Sequence, residues 1–358
     1  MKRVYQSHRY KRYARKRGRR SARDRRHRAL WELLREQRII GLDRKERQEL
    51  ARSHKIEAVK APRIFSFRDN TEQSIKFVNR LMSLAKRGHG ASVDLTRVEQ
   101  LSTDATAILC SVAHEFGKKN LHFAGNKPAN EKVCDEFERS GFFKHVHGMV
   151  LERNQVTKDE ITTQGDKRVR SEKTAEIIGQ AARTIWNEDR RCPGVQKSLI
   201  ECMGNTKEHS NPYGDMGERW WLSVHHDDNA REVTFSFVDY GVGIFESLVK
   251  KRKRGLFGSF FDKFRDSPNP ELLKQILNGA MKSSTEGTRT ELVNRGKGLP
   301  GIHDAMKRKQ LCDLVIISNN VRAFVDSETY QELKETFNGT FLQWKVTADS
   351  DNLPGYGN

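Results

Sequence analysis

Apolar positions along the chain alternate between spacings of two and of three to four, and each change of spacing marks an element. Ala61 to Phe67 reads as a strand, Glu72 to Lys86 as a helix and Gly90 to Leu95 as a second strand. Ser102 to Phe116 then gives a helix with Ala105, Ile108, Leu109 and Val112 on one side. A strand over Asn120 to Ala124 and a helix over Glu131 to Ser140 follow. This alternation predicts a sheet with helical cover. Gln155 to Lys173 is polar and charged, the pattern of an exposed linker. Beyond it, Ile177, Ile178, Ala181 and Ile185 put Thr174 to Trp186 on a helix. Trp220 to Val224 and Val233 to Asp239 form a hairpin pattern, and Leu342 to Val346 a further strand.

The expected organisation is therefore α/β. It runs as a basic arm with amphipathic helices (1–58), a first sheet-and-helix domain (59–152), a linker and helix (153–178), a second α/β domain (179–348) and a short tail (349–358). Within the arm, Leu30, Leu33, Leu34, Ile39 and Ile40 give Ala29 to Ser53 the pattern of one or two helices that dock the arm onto the body.

Composition adds three constraints. At 358 residues and 35% hydrophobic content the chain can bury real cores, and no run of residues has the length and apolarity of a membrane span. Five scattered cysteines, Cys110, Cys134, Cys192, Cys202 and Cys312, with no C-x-x-C, fit structural thiols in a reducing cytoplasm. The net charge of +19 is concentrated: residues 1–60 carry 22 Lys/Arg against 7 Asp/Glu, leaving +4 for the rest. From Lys2 to Arg28 the segment is nearly free of acids, so its natural counter-charge is a polyphosphate. Tyr5, Tyr10 and Tyr13 are placed to stack on exposed bases of DNA or RNA. A solubilising tail or a site for an acidic protein is the alternative.

Candidate chemistry centres on Ser198 to Ser210. On a helix, Glu201, Asn205 and His209 recur at i, i+4 and i+8 and share one face, while Leu199, Cys202, Met203 and Thr206 turn toward a core. A carboxylate that orients water one turn from a carboxamide oxygen suited to Mg2+ fits a nucleotide site. Downstream, the strand ending at Asp239 breaks into D-x-G-x-G. Gly241 and Gly243 clear space for an adenine whose exocyclic amine donates to the carboxylate. Gly296-Lys297-Gly298-Leu299-Pro300-Gly301, opening a helix-like stretch, reads as a phosphate-binding loop, its main-chain N–H groups and Lys297 favouring an anion. The consecutive residues His225, His226, Asp227 and Asp228 would point different ways on a turn, which argues against a metal site there.

Taken in order, the Asn helix, D-x-G-x-G, G-x-G-L and a late Asn338-Gly-Thr-Phe341 resemble the ATPase superfamily of gyrase, heat-shock chaperones, histidine kinases and mismatch-repair proteins. This is the GHKL, or Bergerat-type, fold, here nearest in style to anti-sigma-factor serine kinases. The resemblance covers about residues 180–348. It implies a mixed sheet covered on one face by helices with the nucleotide between, Glu201 as base, Asn205 on Mg2+, Asp239 on adenine, and Gly241, Gly243, Gly296, Lys297, Gly298, Leu299, Gly301 and Thr340 around ATP. It also puts Val249 to Arg289 in the position of a mobile ATP lid.

Val93 to Ala105 is similar to the core of STAS domains, the family of anti-sigma-factor antagonists, and the likeness extends over about residues 60–150. There a serine at the helix start is phosphorylated by a partner kinase. Here Ser102-Thr103-Asp104-Ala105 keeps a hydroxyl at Thr103 but not the preceding Asp. A side-chain oxygen of Ser102 or Thr103 capping the helix is the competing reading of that hydroxyl.

Three functional classes follow. The first is a cytoplasmic, bacterial or phage-related ATP-hydrolysing switch; the second is a serine/threonine kinase in which Glu201 deprotonates a protein hydroxyl; the third is a non-catalytic ATP-binding scaffold. A protein partner through the STAS-like segment or the lid, a homodimer, and nucleic acid through residues 1–28 are the expected associations. Deleting residues 1–28 is expected to abolish salt-dependent nucleic-acid binding while leaving ATP affinity intact. Filter binding across a salt series checks it, and unchanged binding by the truncated chain overturns it.

Overall fold

The computed structural model describes residues 55–140, 142, 160–164, 171–209, 220–253, 258–283 and 298–350, and the description below is of those. The first unit opens with β1 (Glu57–Lys60), β2 (Ile64–Phe65), α1 (Thr71–Arg87) and β3 (Ala91–Asp94). It continues through β4 (Gln100–Leu101), α2 (Thr103–Lys118), β5 (Phe123–Gly125) and α3 (Glu131–Arg139). β1, β3 and β5 pair in parallel in the order β1-β3-β5, and β2 pairs in parallel with β4. α1 ends where Gly88, at φ 76°, turns the chain and its N–H returns to the Ala85 carbonyl. At α3, the Asn130 side chain accepts from the Val133 N–H, as a capping residue should.

A second group follows: β6 (Glu160–Gln164), α4 (Ser171–Trp186), α5 (Pro193–His209), β7 (Trp220–Asp227), β8 (Glu232–Asp239) and α6 (Gly243–Lys253). After these come α7 (Gly258–Lys263), α8 (Asn269–Leu277), a short 3-10 helix (Ala280–Ser283), α9 (Gly298–Lys307), β9 (Cys312–Phe324) and β10 (Thr329–Thr347). The five strands form a sheet in the order β6-β7-β8-β10-β9, antiparallel at every pairing. That corrects the mixed sheet implied by the resemblance. Parallel pairing is confined to the first unit, so the fold is α/β in the broad sense, with one parallel and one antiparallel system. β6 lies where polarity predicts a linker. Glu-Ile-Thr-Thr-Gln carries little apolar signal, and what orders it is the β7 edge it completes.

A further difference concerns the second face of the sheet. Phe235, Phe237, Leu222, Leu342, Trp344 and Ile316 are buried with α4, α5, α8 and α9 on one side. Trp221, Val238, Tyr240, Val315, Ile317, Phe337 and Phe341 are buried on the other, in one cluster with Phe67, Ile75, Val78, Ile108, Val112 and Phe116 of the first unit. Both faces are therefore covered, the back one by α1 and α2. Strand periodicity accounts for the division, since alternate residues project to opposite faces. Phe337 is central, its ring edge-on to Phe67 at 5.3 Å and to Tyr240 at 5.6 Å.

Polar contacts fix the seam. The Glu72 carboxylate accepts from the backbone N–H groups of Lys334 (2.8 Å) and Glu335 (3.1 Å). The Arg68 guanidinium donates to Asp313 at 2.6 Å, and that of Arg322 to the Thr71 hydroxyl at 3.0 Å. No helix among the described residues is long and apolar enough to cross a membrane. Because the back core draws on both units, Phe337→Ala is expected to cost about 3–5 kcal/mol. Urea denaturation followed by tryptophan fluorescence and by far-UV circular dichroism should shift together. Transitions that separate in the wild-type protein would show that the two units unfold independently.

Candidate functional site

α5 carries one buried apolar face and one half-buried polar face. Leu199, Cys202, Met203 and Thr206 are buried as the spacing predicts, and Glu201 and Asn205 stand half-buried beside them. What these two side chains face is the first turn of α9. A methyl group placed on Gly298 would lie 3.0 Å from Asn205 Nδ2, 3.2 Å from Glu201 Oε2 and 3.3 Å from Asn205 Oδ1. Two motifs almost a hundred residues apart in sequence thus meet at a glycine, and any larger residue there would push into the polar pair. Gly298 is buried, and Leu299 is half-buried against the core that α5 also joins.

One turn before Glu201 stands Lys197, which the motif reading passed over. A methyl on Gly301 would approach its Cε to 3.3 Å and its Nζ to 3.6 Å, so the lysine stem lies across the start of α9. Lys197, Glu201 and Asn205 continue the i, i+4, i+8 row, and extending that row one turn toward the N-terminus was the available signal. Gly296 and Lys297 lie outside the described residues, as does the side chain of His209.

At the end of β8, Asp239 is in register with Trp220 on one side and Thr340 on the other, and Thr340 with Ser318 beyond it. Asp239 and the late Gly-Thr motif are therefore neighbours. Gly339, at φ 151°, lies so close that a Cβ would sit 2.1 Å from the Asp239 carbonyl oxygen. The Asp239 carboxylate accepts from the Gly241 N–H at 2.8 Å. Gly243 holds φ 78°, and a Cβ there would fall 2.4 Å from Asn319 Oδ1, so both backbone conformation and space require glycine.

The turn is secured from β9. The Asn319 carboxamide accepts from the Phe245 N–H (3.1 Å) and donates to the Val242 carbonyl (3.0 Å). Ser318 accepts from the Ile244 N–H (2.9 Å) and donates to the Gly339 carbonyl (2.8 Å). Ser318 and Asn319 carry no glycine motif and gave no signal in the sequence.

Asp239 is 7% exposed, and burial pushes its carboxyl up to about 7, against the opposing pull of the Gly241 N–H. Burial first, then the charges of Asp239 and Glu201, also push the Cys202 thiol up, which keeps it protonated and unreactive between them.

Three expectations are corrected. The lid segment is in its described part built into the core, with Phe260, Leu273, Ile276, Leu277 and Met281 all buried. Its apolar residues, which fit a cover in sequence, instead wall the front core. Ser102 occupies the cap position of α2 but makes no capping bond, because its hydroxyl donates to the Phe65 carbonyl at 3.0 Å and stitches β2 to β4. His225 and His226 lie within β7 rather than on the turn. Asp227 instead caps the turn, accepting from the N–H groups of Asn229 and Ala230. No cluster of three or more His, Cys, Asp or Glu suited to a metal ion occurs among the described residues.

Thr103 begins α2, behind the sheet, whereas Glu201 stands on α5 in front of it. A cleft of about 380 Å3 between α6, α7 and α8, lined by Phe245, Leu248, Phe261, Phe264, Leu272 and Asn319, includes none of Glu201, Asn205 or Asp239.

No family model matches the chain, and no curated protein matches it.

Proton linkage at Asp239 gives a measurable signature. Its folded-state pKa lies above that of the unfolded chain, so the native protein keeps a proton that the unfolded chain releases. Stability therefore falls as pH rises from about 4 to 7. Asp239→Asn removes that loss. The difference in unfolding free energy between variant and wild type should grow by up to about 4 kcal/mol in the variant's favour across this range, measured by urea titration at several pH values. Parallel pH profiles would show that Asp239 titrates normally.

Proposed function

We propose that the chain binds Mg-ATP and hydrolyses it, as a nucleotide-dependent regulatory switch of the GHKL type with a STAS-like unit on the back of its sheet. The observation that carries this reading is the meeting of Glu201 and Asn205 with the N-terminus of α9 at Gly298. Support also comes from Asp239, buried at a strand end beside Gly241, Gly243 and Thr340.

In this arrangement the adenine amine donates to the Asp239 carboxylate, which the bound base holds ionised. The first backbone N–H groups of α9 take up phosphate oxygens, favoured by the helix dipole, and the Lys197 ammonium supplies a cation beside them. Asn205 offers one hard oxygen, which suits Mg2+. Held there, the ion would neutralise charge on the phosphate tail. Glu201 accepts a proton from water as the water oxygen bonds to the γ-phosphorus. The bond from that phosphorus to the bridging oxygen breaks, giving ADP and phosphate.

Water is favoured over Thr103 of the same molecule because the five-stranded sheet stands between Glu201 and Thr103. A nucleic acid on the basic arm, a protein partner and self-association belong to the same proposal, as the outputs that such a switch would govern.

Incubation with Mg2+ and γ-labelled ATP, following free phosphate and protein-bound label together, tests it. Glu201→Ala should lower phosphate release about a hundredfold or more while retaining nucleotide. Lys197→Met should weaken ATP binding about tenfold. Label accumulating on the protein would replace hydrolysis by kinase chemistry, and absence of ATP binding by the wild-type protein would overturn the nucleotide reading itself.

A further inference from the structure

Asp239 and Tyr240 are successive residues at the end of β8, so their side chains leave opposite faces of the sheet. Asp239 projects forward, toward the candidate nucleotide site; Tyr240 projects back, into the core shared with the first unit, where it is 8% exposed. Its hydroxyl lies 2.6 Å from the hydroxyl of Ser111, a residue of α2 that is 1% exposed. Ser111 also donates to the Ile108 carbonyl in its own helix. A serine has a single proton, so with that proton committed to Ile108, Tyr240 is the donor and Ser111 the acceptor. Burial pushes the Tyr240 phenol up, which keeps the donor protonated.

Filling the same space needs no hydroxyls. A Phe–Ala pair would pack with no polar group to satisfy, whereas a lone buried hydroxyl is costly. The pair therefore does something packing alone does not: it sets one position of α2 along the strand end. Tyr240 is held on its other sides by the edge contact with Phe337 and by Gly339, where a Cβ would come within 3.1 Å of the Tyr240 Cα. What it anchors is the peptide leading to Gly241, whose N–H fixes the Asp239 carboxylate.

We infer that Ser111 and Tyr240 are positioning residues for adenine selection, through which the STAS-like unit on the back of the sheet sets the aim of the Asp239 carboxylate on the front. This rests on the proposed ATP site. A carboxylate aimed at an exocyclic amine distinguishes adenine from hypoxanthine, which carries a carbonyl at that position and would face the carboxylate acceptor to acceptor. Loosening the anchor blurs the aim, so selection between the two bases declines more than binding of either phosphate tail. The same linkage runs in reverse: nucleotide bound in front is felt along α2, whose first residue is Thr103.

The test compares dissociation constants for ATP and for inosine triphosphate in the full-length protein with Mg2+. Wild type should prefer ATP. Tyr240→Phe and Ser111→Ala should each reduce the preference about fivefold, with inosine triphosphate affinity little changed. The double variant should lose no more than either single one, as for two partners in one bond. Ser111→Thr, which keeps the hydroxyl, should retain the preference. A role in stability alone would lower the melting temperature without moving the ratio, so an unchanged ratio in folded variants overturns the inference. Should the variants not fold, hydrogen exchange of the wild-type protein decides. ATP should slow exchange in residues 103–118, and unaltered exchange there with nucleotide bound overturns the coupling. Failure of the wild type to bind ATP at all would instead be the failure of the nucleotide reading.

Discussion

Along β8, Val233, Phe235 and Phe237 are buried toward one side and Val238 and Tyr240 toward the other, so this strand has no row left for water. Its neighbours β7, β9 and β10 follow the same rule over much of their length. An antiparallel sheet ordinarily keeps one wet face, and giving that up commits the chain to finding two covers. The helices of the second unit supply one. The other has to come from elsewhere, and α1 and α2 supply it with Ile75, Val78, Ile108 and Val112. Joining the two units is in this sense a requirement of the sheet's composition. Apolar burial holds the faces together, and polar contacts at the seam, such as Glu72 on the N–H groups of Lys334 and Glu335, fix register.

The front cover gives Asp239 its electrostatic character. A carboxyl at a strand end would be solvated on an open face. Here it is enclosed in front by α5, and the backbone beside it is held close by Gly339 and Asn319. Burial then outweighs the single N–H that Gly241 offers, and the acid is held up near neutrality. An exocyclic amine would add a donor where the site is short of one. Keeping an ionised carboxyl buried there is a cost to the folded protein, and any ligand that bound the folded chain and supplied a donor would stabilise it.

Much of this was legible in the sequence, and the reasons differ by residue. The helix bearing Glu201 and Asn205, the strand ending at Asp239 and the glycine start of α9 announce themselves, because a polar row at helical spacing and glycines at a strand end are local patterns. That Gly298 meets Glu201 and Asn205 is not local, and no spacing along the chain shows it. Lys197 was missed because the motif begins at Glu201, although the helical row does not. Ser318, Asn319 and Ser111 were invisible for a different reason: each acts through hydrogen bonds to a distant segment, and a lone Ser or Asn in an apolar run has no spacing to read. The sheet's second cover was hidden as well. Alternation inside a strand shows that two faces are apolar, but not which helices will occupy them. The strand β6, with Ile161 as its one apolar residue, owes its order to its partner rather than to itself.

How far the back unit can govern the front site is a matter of magnitude. One buried hydrogen bond contributes about 1 kcal/mol net, which changes a binding constant about fivefold. Carrying a protein from almost wholly one state to almost wholly another needs about 5.5 kcal/mol of differential binding. If the proposed nucleotide site is real, the Ser111–Tyr240 contact would therefore tune its selection but would not by itself throw a switch. For the first unit to act as one, a partner or a modification would have to bias the larger seam, in which Phe337 and Phe341 pack against Phe67 and the Glu72, Arg68 and Arg322 contacts hold register. Displacing even part of that seam exposes aromatic surface at a cost of several kcal/mol, which the partner's own binding would have to supply.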